Sequence, residues 1–249
     1  MRDRDTNALL MTQNRDTLVT AFARNRYRTV AVMPGMWQSW PEGVFYRFDE
    51  TYSGSRLDYW GPQFGWWDIP DQYAIAKMDA LEINRSPRQP VFVFFPTVTS
   101  HIPFVPVPPY QQDWQRVLTR DPYDAADADR VLEEQPDWLH LGRGYSRALA
   151  YDLGSLAGYL RLRRDRDFVL IVLGDHQPPA AVTGEDARWD VPVHVIASRP
   201  RLTAVLDHLR AHGFRDGLTP AAPAIGHMQA LVPILLDAFG GTGTTAEAR

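Results

Sequence analysis

Short apolar runs alternate with amphipathic stretches along this chain, and the runs predict β-strands. The strands are predicted over Tyr27 to Met33, Val91 to Phe95, Phe168 to Leu173 and Pro192 to Ala197. The second and third runs are continuous and rich in β-branched and aromatic residues, which is typical of strands buried on both faces. The pattern therefore predicts a sheet whose strands lie in the interior of the domain.

Between these runs, apolar residues recur every three or four positions, which predicts helices packed on the sheet. One helix begins near Asp16 and another begins at Pro70-Asp71. The remaining helices follow from three further apolar sets: Leu149, Leu153, Leu156 and Leu160; Leu202, Val205, Leu206 and Leu209; and Met228, Leu231, Val232, Leu235, Leu236 and Phe239.

Two segments lack either period. The segment from Trp37 to Gly65 is rich in aromatic residues, glycine and proline and is predicted to be a long ordered loop. Residues 111 to 144 carry acidic clusters, with an acidic run at 121 to 129, and are predicted to form a solvated excursion over the sheet edge.

Alternation of strands and helices predicts an α/β fold, a three-layer α/β/α sandwich around a mostly parallel sheet. Residues 1–249 are predicted to form a single domain, with a flexible tail over 242–249. In such a sheet the loops after the strands at 28, 91 and 168 emerge at one edge, where ligands collect. Polar residues of three distant loops would then meet, namely Trp37 to Glu42, His101 and the Asp175-His176 pair.

Composition removes several classes of function. A net charge of -4 on 249 residues gives no electrostatic footprint for nucleic acid, and the absence of cysteine excludes disulfides, thiolate zinc sites and thiol nucleophiles. The apolar runs are too short for a membrane span, and no signal peptide is visible, so the chain itself is expected to be soluble. Its first twenty residues are polar and helix-like instead of forming a buried strand, which predicts that the beginning of the domain is missing.

The sharpest chemical signal is Gly174-Asp175-His176, which places a carboxylate beside an imidazole where a strand ends. A carboxylate and a neutral imidazole suit a divalent metal ion, manganese or zinc first, with magnesium or calcium as alternatives. Structural interpretations stand beside this one. Asp175 can be a helix cap next to a surface histidine, His101 can simply stabilise its turn, and His194 is expected to be a core histidine. Clustered tryptophans either line a pocket or pack the long loop onto the domain; these are Trp37, Trp40, Trp60, Trp66 and Trp67.

Gly174-Asp175-His176 after one strand and Ser100-His101-Ile102-Pro103 after another resemble the sulfatase-like branch of the alkaline phosphatase superfamily. This branch includes lipoteichoic acid synthases and phosphoethanolamine transferases. The resemblance extends from about Thr17 to Phe239 and rests on the order and spacing of several further motifs. These are Tyr27-Arg28-Thr29-Val30, Trp40-Pro41-Glu42, Pro70-Asp71-Gln72-Tyr73, Val191-Pro192-Val193-His194-Val195 and the closing helix from Leu231.

The resemblance implies an alkaline-phosphatase-like fold and a divalent metal held partly by Asp175 and His176. It implies that His101 contacts the phosphoryl or sulfuryl group of the substrate, and Trp40 and Gln177 are further candidates for substrate contact. The implied substrate is a phosphate or sulfate ester, lipid- or glycan-linked. The implied location is the extracytoplasmic face of a bacterial membrane, periplasmic or extracellular, as part of a membrane-anchored parent protein.

The chain also departs from the family pattern. The family's nucleophile at a helix start and the acidic metal ligand that closes its first strand are not found. The hydroxyls near the start of the chain, on Thr6, Thr12 and Thr17, follow no buried strand. Glu42 stands where lipoteichoic acid enzymes carry an arginine, so a polyglycerol-phosphate substrate is not expected.

Three hypotheses follow, from three classes. The first is a metal-dependent hydrolase or transferase acting on a phosphate or sulfate ester, or the larger part of one. The second is a non-catalytic sulfatase-like domain that binds a phosphorylated or sulfated glycan or lipid. The third is a structural module whose Asp175-His176 turn holds no ligand.

Overall fold

The chain divides into two compact units, Met1–Arg161 and Leu162–Arg249. The structure is a computed structural model that describes residues 12, 15–38, 40, 43–66, 68–85, 89–199 and 203–240. The predicted tail over 242–249 lies outside the described residues, and the single domain over 1–249 stays a prediction. None of the described helices is both long enough and apolar enough to cross a membrane.

In the first unit, helices surround a small sheet. The strands are β1 (Arg28–Met33), β2 (Glu50–Ser53) and β3 (Val91–Phe94). The helices are α1 (Leu18–Arg24), α2 (Gly43–Tyr46), α3 (Gly54–Leu57), α4 (Asp71–Met78), α5 (Trp114–Val117), α6 (Ala125–Leu132) and α7 (Leu141–Leu162), and a π-helical turn over Asp79–Ile83 continues α4.

The three strands form a parallel sheet in the order β2-β1-β3, which confirms the predicted α/β fold. β1 is the central strand, and its Val30 lies opposite Glu50 on one side and Val93 on the other. Residues 29 to 32 of β1 are buried, whereas β3 is half-buried, so the prediction that β3 is buried on both faces is wrong. A sheet this narrow leaves only its middle strand with neighbours on both sides.

The predicted loop from Trp37 to Gly65 contains the edge strand β2, which sequence patterning missed. Of its four residues only Tyr52 is buried, and it packs with Val30, Val32 and Leu57 in the core. A short edge strand carries little hydrophobic periodicity of its own. Pairing with β1 therefore defines β2, and that pairing joins residues about twenty positions apart.

A buried ion pair ties β1 to the end of α4. Glu82 accepts hydrogen bonds from Arg28 Nε at 2.7 Å and Nη2 at 2.8 Å, and a third from the Tyr52 hydroxyl at 2.6 Å. Burial alone would raise the pKa of Glu82, but the hydrogen bonds from Arg28 and Tyr52 outweigh it and lower the pKa below its usual range. The carboxylate therefore stabilises the fold at neutral pH, and that contribution is lost as the pH falls through the lowered pKa.

We expect Glu82→Gln to lower the free energy of unfolding by about 2 kcal/mol at pH 7. This is less than the 3–5 kcal/mol typical when one partner of a fully buried pair is removed, because Arg28 stays partly solvated. Urea denaturation at pH 7 and at pH 3 measures the effect, and the difference from the parent chain should shrink at pH 3. An equal loss at both pH values would contradict a contribution from the ionised carboxylate.

Helix α7 is present as predicted, but its buried face is not the predicted one. Leu149 and Leu153 are exposed. The buried residues are Leu141, Ala148, Tyr151, Asp152, Ser155 and Gly158. At Gly158 the helix approaches the Tyr110 hydroxyl so closely that an added Cβ would clash with it. The buried face of α7 therefore carries small and polar residues, which let neighbouring segments approach the helix closely. The leucine spacing alone does not indicate this face.

The segment 111 to 144 is only partly the predicted solvated excursion. The acidic side chains of the run at 121 to 129 are exposed, as predicted. The segment nevertheless contains α5 and α6 and contributes buried residues to two clusters: Val117 packs with Val30 and Leu57, and Tyr123 and Val131 pack with Phe64. One apolar face on each short helix is enough to attach the segment to the domain.

The second unit pairs two strands and closes with two packed helices. Its elements are β4 (Val169–Leu173), α8 (Ala180–Thr183), β5 (Val193–Ala197), α9 (Thr203–Ala211), a 3₁₀ turn over Met228–Ala230 and α10 (Leu231–Gly240). β4 and β5 are antiparallel, with Ile171 opposite Val195. β4 is half-buried and its last residue is exposed, so the prediction that it is buried on both faces is wrong.

Candidate metal and substrate site

The Gly-Asp-His turn begins where β4 ends. The Gly174 N–H donates to the Pro192 carbonyl at 3.2 Å, which holds the turn against the segment before β5. A Cβ added at Gly174 would lie 3.3 Å from the Val191 Cβ, tighter than ordinary contact. Glycine therefore lets the two chain segments approach closely, and the next two side chains are directed to solvent.

Asp175 and His176 lie side by side with their polar atoms facing each other. Asp175 Oδ2 is 3.6 Å from His176 Nε2, and the His176 N–H donates to Asp175 Oδ1 at 3.0 Å. The side chains are 87% and 69% exposed, so a ligand reaches both from solvent. The adjacency predicted from the sequence is thus also an adjacency of the ligand atoms.

The hydrogen bond of the second ring nitrogen assigns the tautomer of His176. Nδ1 lies 2.8 Å from the Gln177 carbonyl oxygen, which only accepts, so Nδ1 carries the hydrogen and donates. In the neutral ring, Nε2 then carries the free lone pair, on the side of Asp175. A histidine that ligates a metal typically donates its other N–H to a carbonyl in this way.

Gln177 anchors the far side of the turn. Its side-chain amide donates to the Asp190 carbonyl oxygen, so a second contact joins the turn to the segment before β5. The structure gives this side chain a supporting contact within the unit. Its predicted role in substrate binding stays a prediction.

The Asp175-His176 pair fits one edge of a metal coordination sphere. Two donors bound to one tetrahedral zinc lie about 3.4 Å apart, close to the 3.6 Å between Oδ2 and Nε2. Among the described residues of the second unit, no further histidine or carboxylate joins this pair within reach of the same ion. The two residues therefore supply two ligands, and a complete site needs additional ones.

In the first unit, the loop after β3 carries His101 and is held by a buried carboxylate. Asp71, at the start of α4, is fully buried. Its Oδ2 accepts from the backbone N–H groups of Val98 at 3.0 Å and Thr99 at 2.8 Å. These bonds clamp the backbone three and two residues before His101.

A second buried carboxyl, Asp152 on α7, lies close to Asp71, Thr97 and Ser100. Neither of its oxygens has a hydrogen-bond partner of good geometry among the described residues. Burial, together with the neighbouring charge of Asp71, raises the pKa of Asp152 to about 9. Burial also raises the pKa of Asp71, opposed by its hydrogen bonds from Thr99 and Val98. Because Asp71 accepts the backbone N–H groups, Asp152 is the member of the pair that holds the proton at neutral pH.

His101 is exposed at the tip of this loop, in a tight turn. Its N–H donates to the Val98 carbonyl at 3.1 Å, and its own carbonyl accepts from the Phe104 N–H at 2.9 Å. Phe104 has a left-handed φ of 68° and is buried against the Tyr145 ring. Burial of the phenyl ring offsets this backbone strain.

The ring of His101 has the same orientation pattern as that of His176. Nδ1 lies 2.7 Å from the Ile102 carbonyl oxygen, which only accepts, so Nδ1 carries a hydrogen and donates to it. His101 also borders a cavity of about 20 Å³, together with the exposed Trp66 and the buried Phe104. That volume holds one water molecule, so a substrate group would contact His101 from the surface.

The tryptophans of the long loop mostly pack or lie exposed. Trp40 is half-buried and its ring lies 5.7 Å from that of Tyr46 and 6.1 Å from that of Phe48. Trp37 is exposed, and Trp60 donates to Asp58 and lies under Arg120. Trp67 and Glu42 lie outside the described residues. Trp40 therefore packs within the loop, which agrees with the second of the two interpretations of this cluster. The role of Trp40 in substrate contact stays a prediction.

Of the three hydroxyl candidates near the start of the chain, the structure describes Thr12 and Thr17. Thr17 is the N-cap of α1: its Oγ1 accepts from the Thr20 N–H at 3.2 Å. Thr6 lies outside the described residues. Thr17 is therefore occupied as a helix cap, the ordinary structural use of a threonine there.

Parallel pairing puts part of the predicted site at one edge. β1 and β3 both pair in parallel, so the loop that carries Trp40 and the loop that carries His101 leave the same edge of the sheet. The prediction that these two loops leave one edge is confirmed, and the convergence of their side chains stays a prediction. The prediction that the Asp175-His176 turn joins this edge stays a prediction, because the turn belongs to the second unit.

Sequence patterning missed Asp71 and Asp152. An aspartate after proline at a helix start is expected to interact with its own helix, and Asp152 lies between leucines that suggested a different buried face. No local signal identifies a carboxylate whose partners are backbone groups 27 positions away. The only signal in the sequence was that Asp152 lies among small residues spaced along one face of α7.

The chain is similar to known proteins of one family. The family model described as Sulfatase matches residues 9–192, and the chain belongs to the sulfatase family. This confirms the resemblance to the sulfatase-like branch of the alkaline phosphatase superfamily. Members of these groups generally depend on divalent metals. No curated protein is significantly similar to the chain.

Two solved structures are similar to this chain, and the first of them supports the fold. The lipoteichoic acid synthase LtaP from Listeria monocytogenes is 16% identical, with a TM-score of 0.52; the match covers 76% of this chain and 48% of that one. An alkaline phosphatase superfamily protein from Vibrio parahaemolyticus is 18% identical, with a TM-score of 0.48, and covers 75% of this chain and 42% of its own length. The chain thus spans less than half the length of these relatives.

Proposed function

We propose that this chain supplies the metal-binding turn and a substrate-binding loop of a hydrolase or transferase that acts on a phosphate or sulfate ester. The observation that carries the proposal is the pairing of Asp175 Oδ2 with a lone-pair-bearing His176 Nε2 at 3.6 Å. Membership of the sulfatase family supports the class of substrate.

The two residues are suited to hold one divalent ion, with manganese or zinc preferred for a mixed oxygen and nitrogen donor set. Such an ion, when bound, neutralises the negative charge that builds up on a transferring phosphoryl or sulfuryl group. Asp175 contributes an anionic oxygen, and the Nδ1–H bond to Gln177 orients the imidazole. The exposure of both side chains leaves room for ligands from outside this turn.

His101 is proposed to bind the ester group itself. A protonated imidazole donates a hydrogen bond to a non-bridging oxygen of such a substrate, and the bond from Nδ1–H to Ile102 orients the ring. Such a donor is most effective when it is already oriented, and the Asp71 clamp and the buried Phe104 provide that orientation. The exposed Trp66 beside it is suited to stack on the apolar face of a glycan, which supports a glycan-linked ester.

The proposed location, the outer face of a bacterial membrane, rests on the resemblance to membrane-anchored relatives. A non-catalytic binding domain is the second candidate. It is favoured by the engagement of Thr17 as a helix cap, which removes one hydroxyl from the candidates for a nucleophile. Both candidates use the same metal pair and the same His101 loop, and they differ in whether an ester bond is cleaved.

The test is metal-dependent thermal stability of the parent chain and of Asp175→Ala. Mn²⁺ at about 100 times its dissociation constant should raise the unfolding free energy of the parent by about 2.7 kcal/mol, equivalent to about 5–10 °C. We expect Asp175→Ala to abolish this shift. The control Asp186→Ala removes another exposed carboxylate of the same unit and should keep the shift. A parent chain indifferent to Mn²⁺ and chelator, or an unchanged shift in Asp175→Ala, would contradict the metal role.

Turnover separates the two candidates. With Mn²⁺ present, hydrolysis of an aryl phosphate or aryl sulfate ester by the parent chain, lost in His101→Ala while the thermal shift remains, supports the enzyme. Metal binding with no hydrolysis of either ester supports the binding domain.

A further inference from the structure

A second cluster of metal-ligating side chains lies on the two closing helices, apart from the Gly-Asp-His turn. His208 lies on α9, His212 follows the end of α9, and Asp237 lies on α10. One ligand atom from each of these residues lies within 4.8 Å of those of the others. Among the described residues, this is where three such side chains converge.

The helix end holds the two histidines in register. Residues four apart lie on the same helix face, and the rings of His208 and His212 have centroids 5.2 Å apart. Gly213 has a φ of 92°. Its N–H donates to the Arg210 backbone carbonyl, and the Phe214 N–H donates to the Leu209 backbone carbonyl. This is a Schellman motif, which ends the helix at His212 and keeps that residue in helical phase.

The neighbouring helix brings the carboxylate. α9 and α10 pack together, and Leu209 on α9 and Leu235 on α10 are buried. Asp237 follows Leu235 by two positions, and its Oδ2 lies 4.0 Å from His208 Nε2. That distance exceeds a hydrogen bond, so the two groups face each other across a gap.

His208 Nε2 is a buried polar atom with no hydrogen-bond partner in the described part of the chain. Such atoms are uncommon and call for a ligand or a cause. The guanidinium of Arg210, on the same helix, is paired with Asp207 and Asp216. The imidazole of His208, with this unpartnered nitrogen, has one ligand atom within 4.8 Å of a ligand atom of a second imidazole and of a carboxylate.

We propose that His208, His212 and Asp237 form a zinc site that joins α9 to α10. Two imidazoles and one carboxylate are a set of three protein ligands that zinc commonly takes, with water in the fourth position. Ligand atoms on a tetrahedral zinc are about 3.4 Å apart, compared with 4.0 Å between His208 Nε2 and Asp237 Oδ2. Both side chains are partly exposed, so small rotations of their side-chain bonds bring the ligand atoms to that distance. Bound zinc would hold the closing helices together.

The site is independent of the proposed function and is tested in a full chain that lacks the other metal pair. The parent for the test is Asp175→Ala with His176→Ala. Zinc affinity and stoichiometry are measured by competition with a chromophoric chelator, and Co²⁺ serves as a spectroscopic probe of tetrahedral coordination. We expect one zinc per chain and the visible absorption of tetrahedral Co²⁺.

In that background, His212→Ala should weaken zinc binding by more than about 100-fold, since loss of even an outer-shell partner costs 10- to 100-fold. Asp237→Asn should also weaken it. Both residues are exposed, so these variants keep the fold, which circular dichroism without zinc checks. The matched control is His227→Ala, which removes an exposed histidine of the same unit and should leave zinc affinity unchanged.

Zinc should also raise the melting temperature of the test parent and leave that of its His212→Ala variant unchanged. Failure of the test parent to bind zinc would overturn the site. So would equal zinc affinity in His212→Ala and the test parent, or equal losses in His212→Ala and His227→Ala, which would mean diffuse binding by surface imidazoles. None of these outcomes bears on the Mn²⁺ test of Asp175.

Discussion

Asp152→Asn is expected to stabilise this protein at alkaline pH, by about 3 kcal/mol at pH 8, an increase in melting temperature of about 6–12 °C. The carboxyl is buried, its oxygens lack hydrogen-bond partners of good geometry in the described part of the chain, and its pKa in the folded protein is raised to about 9 from 3.8. The folded state therefore keeps a proton that the unfolded chain releases above pH 4. As the pH rises from about 4 to about 9, the free energy of unfolding falls.

An asparagine has nearly the same shape and never ionises, so the gain over the parent should grow with pH and vanish near pH 4. Thermal or urea unfolding at pH 4, 6 and 8 measures it. The control Asp129→Asn, at an exposed position of α6, should change stability little at any pH. A loss of stability in Asp152→Asn at pH 8 would mean that the ionised carboxylate is stabilising, contrary to this assignment.

Asp71→Ala should have the opposite effect, a loss of about 4 kcal/mol at pH 7. It removes the acceptor for two backbone N–H groups, those of Val98 and Thr99, and each buried donor left unpaired costs about 1–3 kcal/mol. The small cavity left behind adds to this. Thermal unfolding measures the total, and amide hydrogen exchange at Val98 and Thr99 locates it.

Asp71→Asn is the matched variant, because its side-chain carbonyl keeps one acceptor oxygen. We expect it to lose about half as much stability as Asp71→Ala and to keep more exchange protection at Thr99. If Asp71→Ala left exchange at these two amides unchanged, the loop that carries His101 would not depend on the carboxylate. The clamp described above would then be wrong.

The pair also links stability to the proposed site. Asp71 and Asp152 lie beneath the backbone that positions His101, and the raised pKa of Asp152 indicates a cost in stability at neutral pH. Buried polar groups that destabilise a fold are often retained where they orient a functional loop. Asp152→Asn in the turnover assay distinguishes this use from a purely structural one.

Local patterns predicted most elements correctly because each depends on its own residues. The runs at 28, 91, 169 and 193 form strands, and the periodic segments near 18, 71, 141, 203 and 231 form helices.

Burial was predicted less well. β4 and β3 read as fully buried runs, yet both are half-buried, since burial depends on how many strands and helices cover each face.

The same distinction applies to the site. Asp175 and His176 are neighbours in the chain, so their pairing and the orienting bond to Gln177 follow from one short turn, and their chemistry was foreseeable. The clamp on the His101 loop joins residues 27 positions apart, and the His208 cluster joins two helices, so neither has a local signature.

By itself, the sequence determined the α/β class, the sulfatase-like family and the acid-imidazole turn, because each of these depends on short motifs and local periodicity. Only the tertiary structure decided which face of α7 is buried, which carboxylate holds the His101 loop and which imidazole faces Asp237. Those features arise from contacts between distant segments, where close approach and loss of solvent, not local propensity, select the partner.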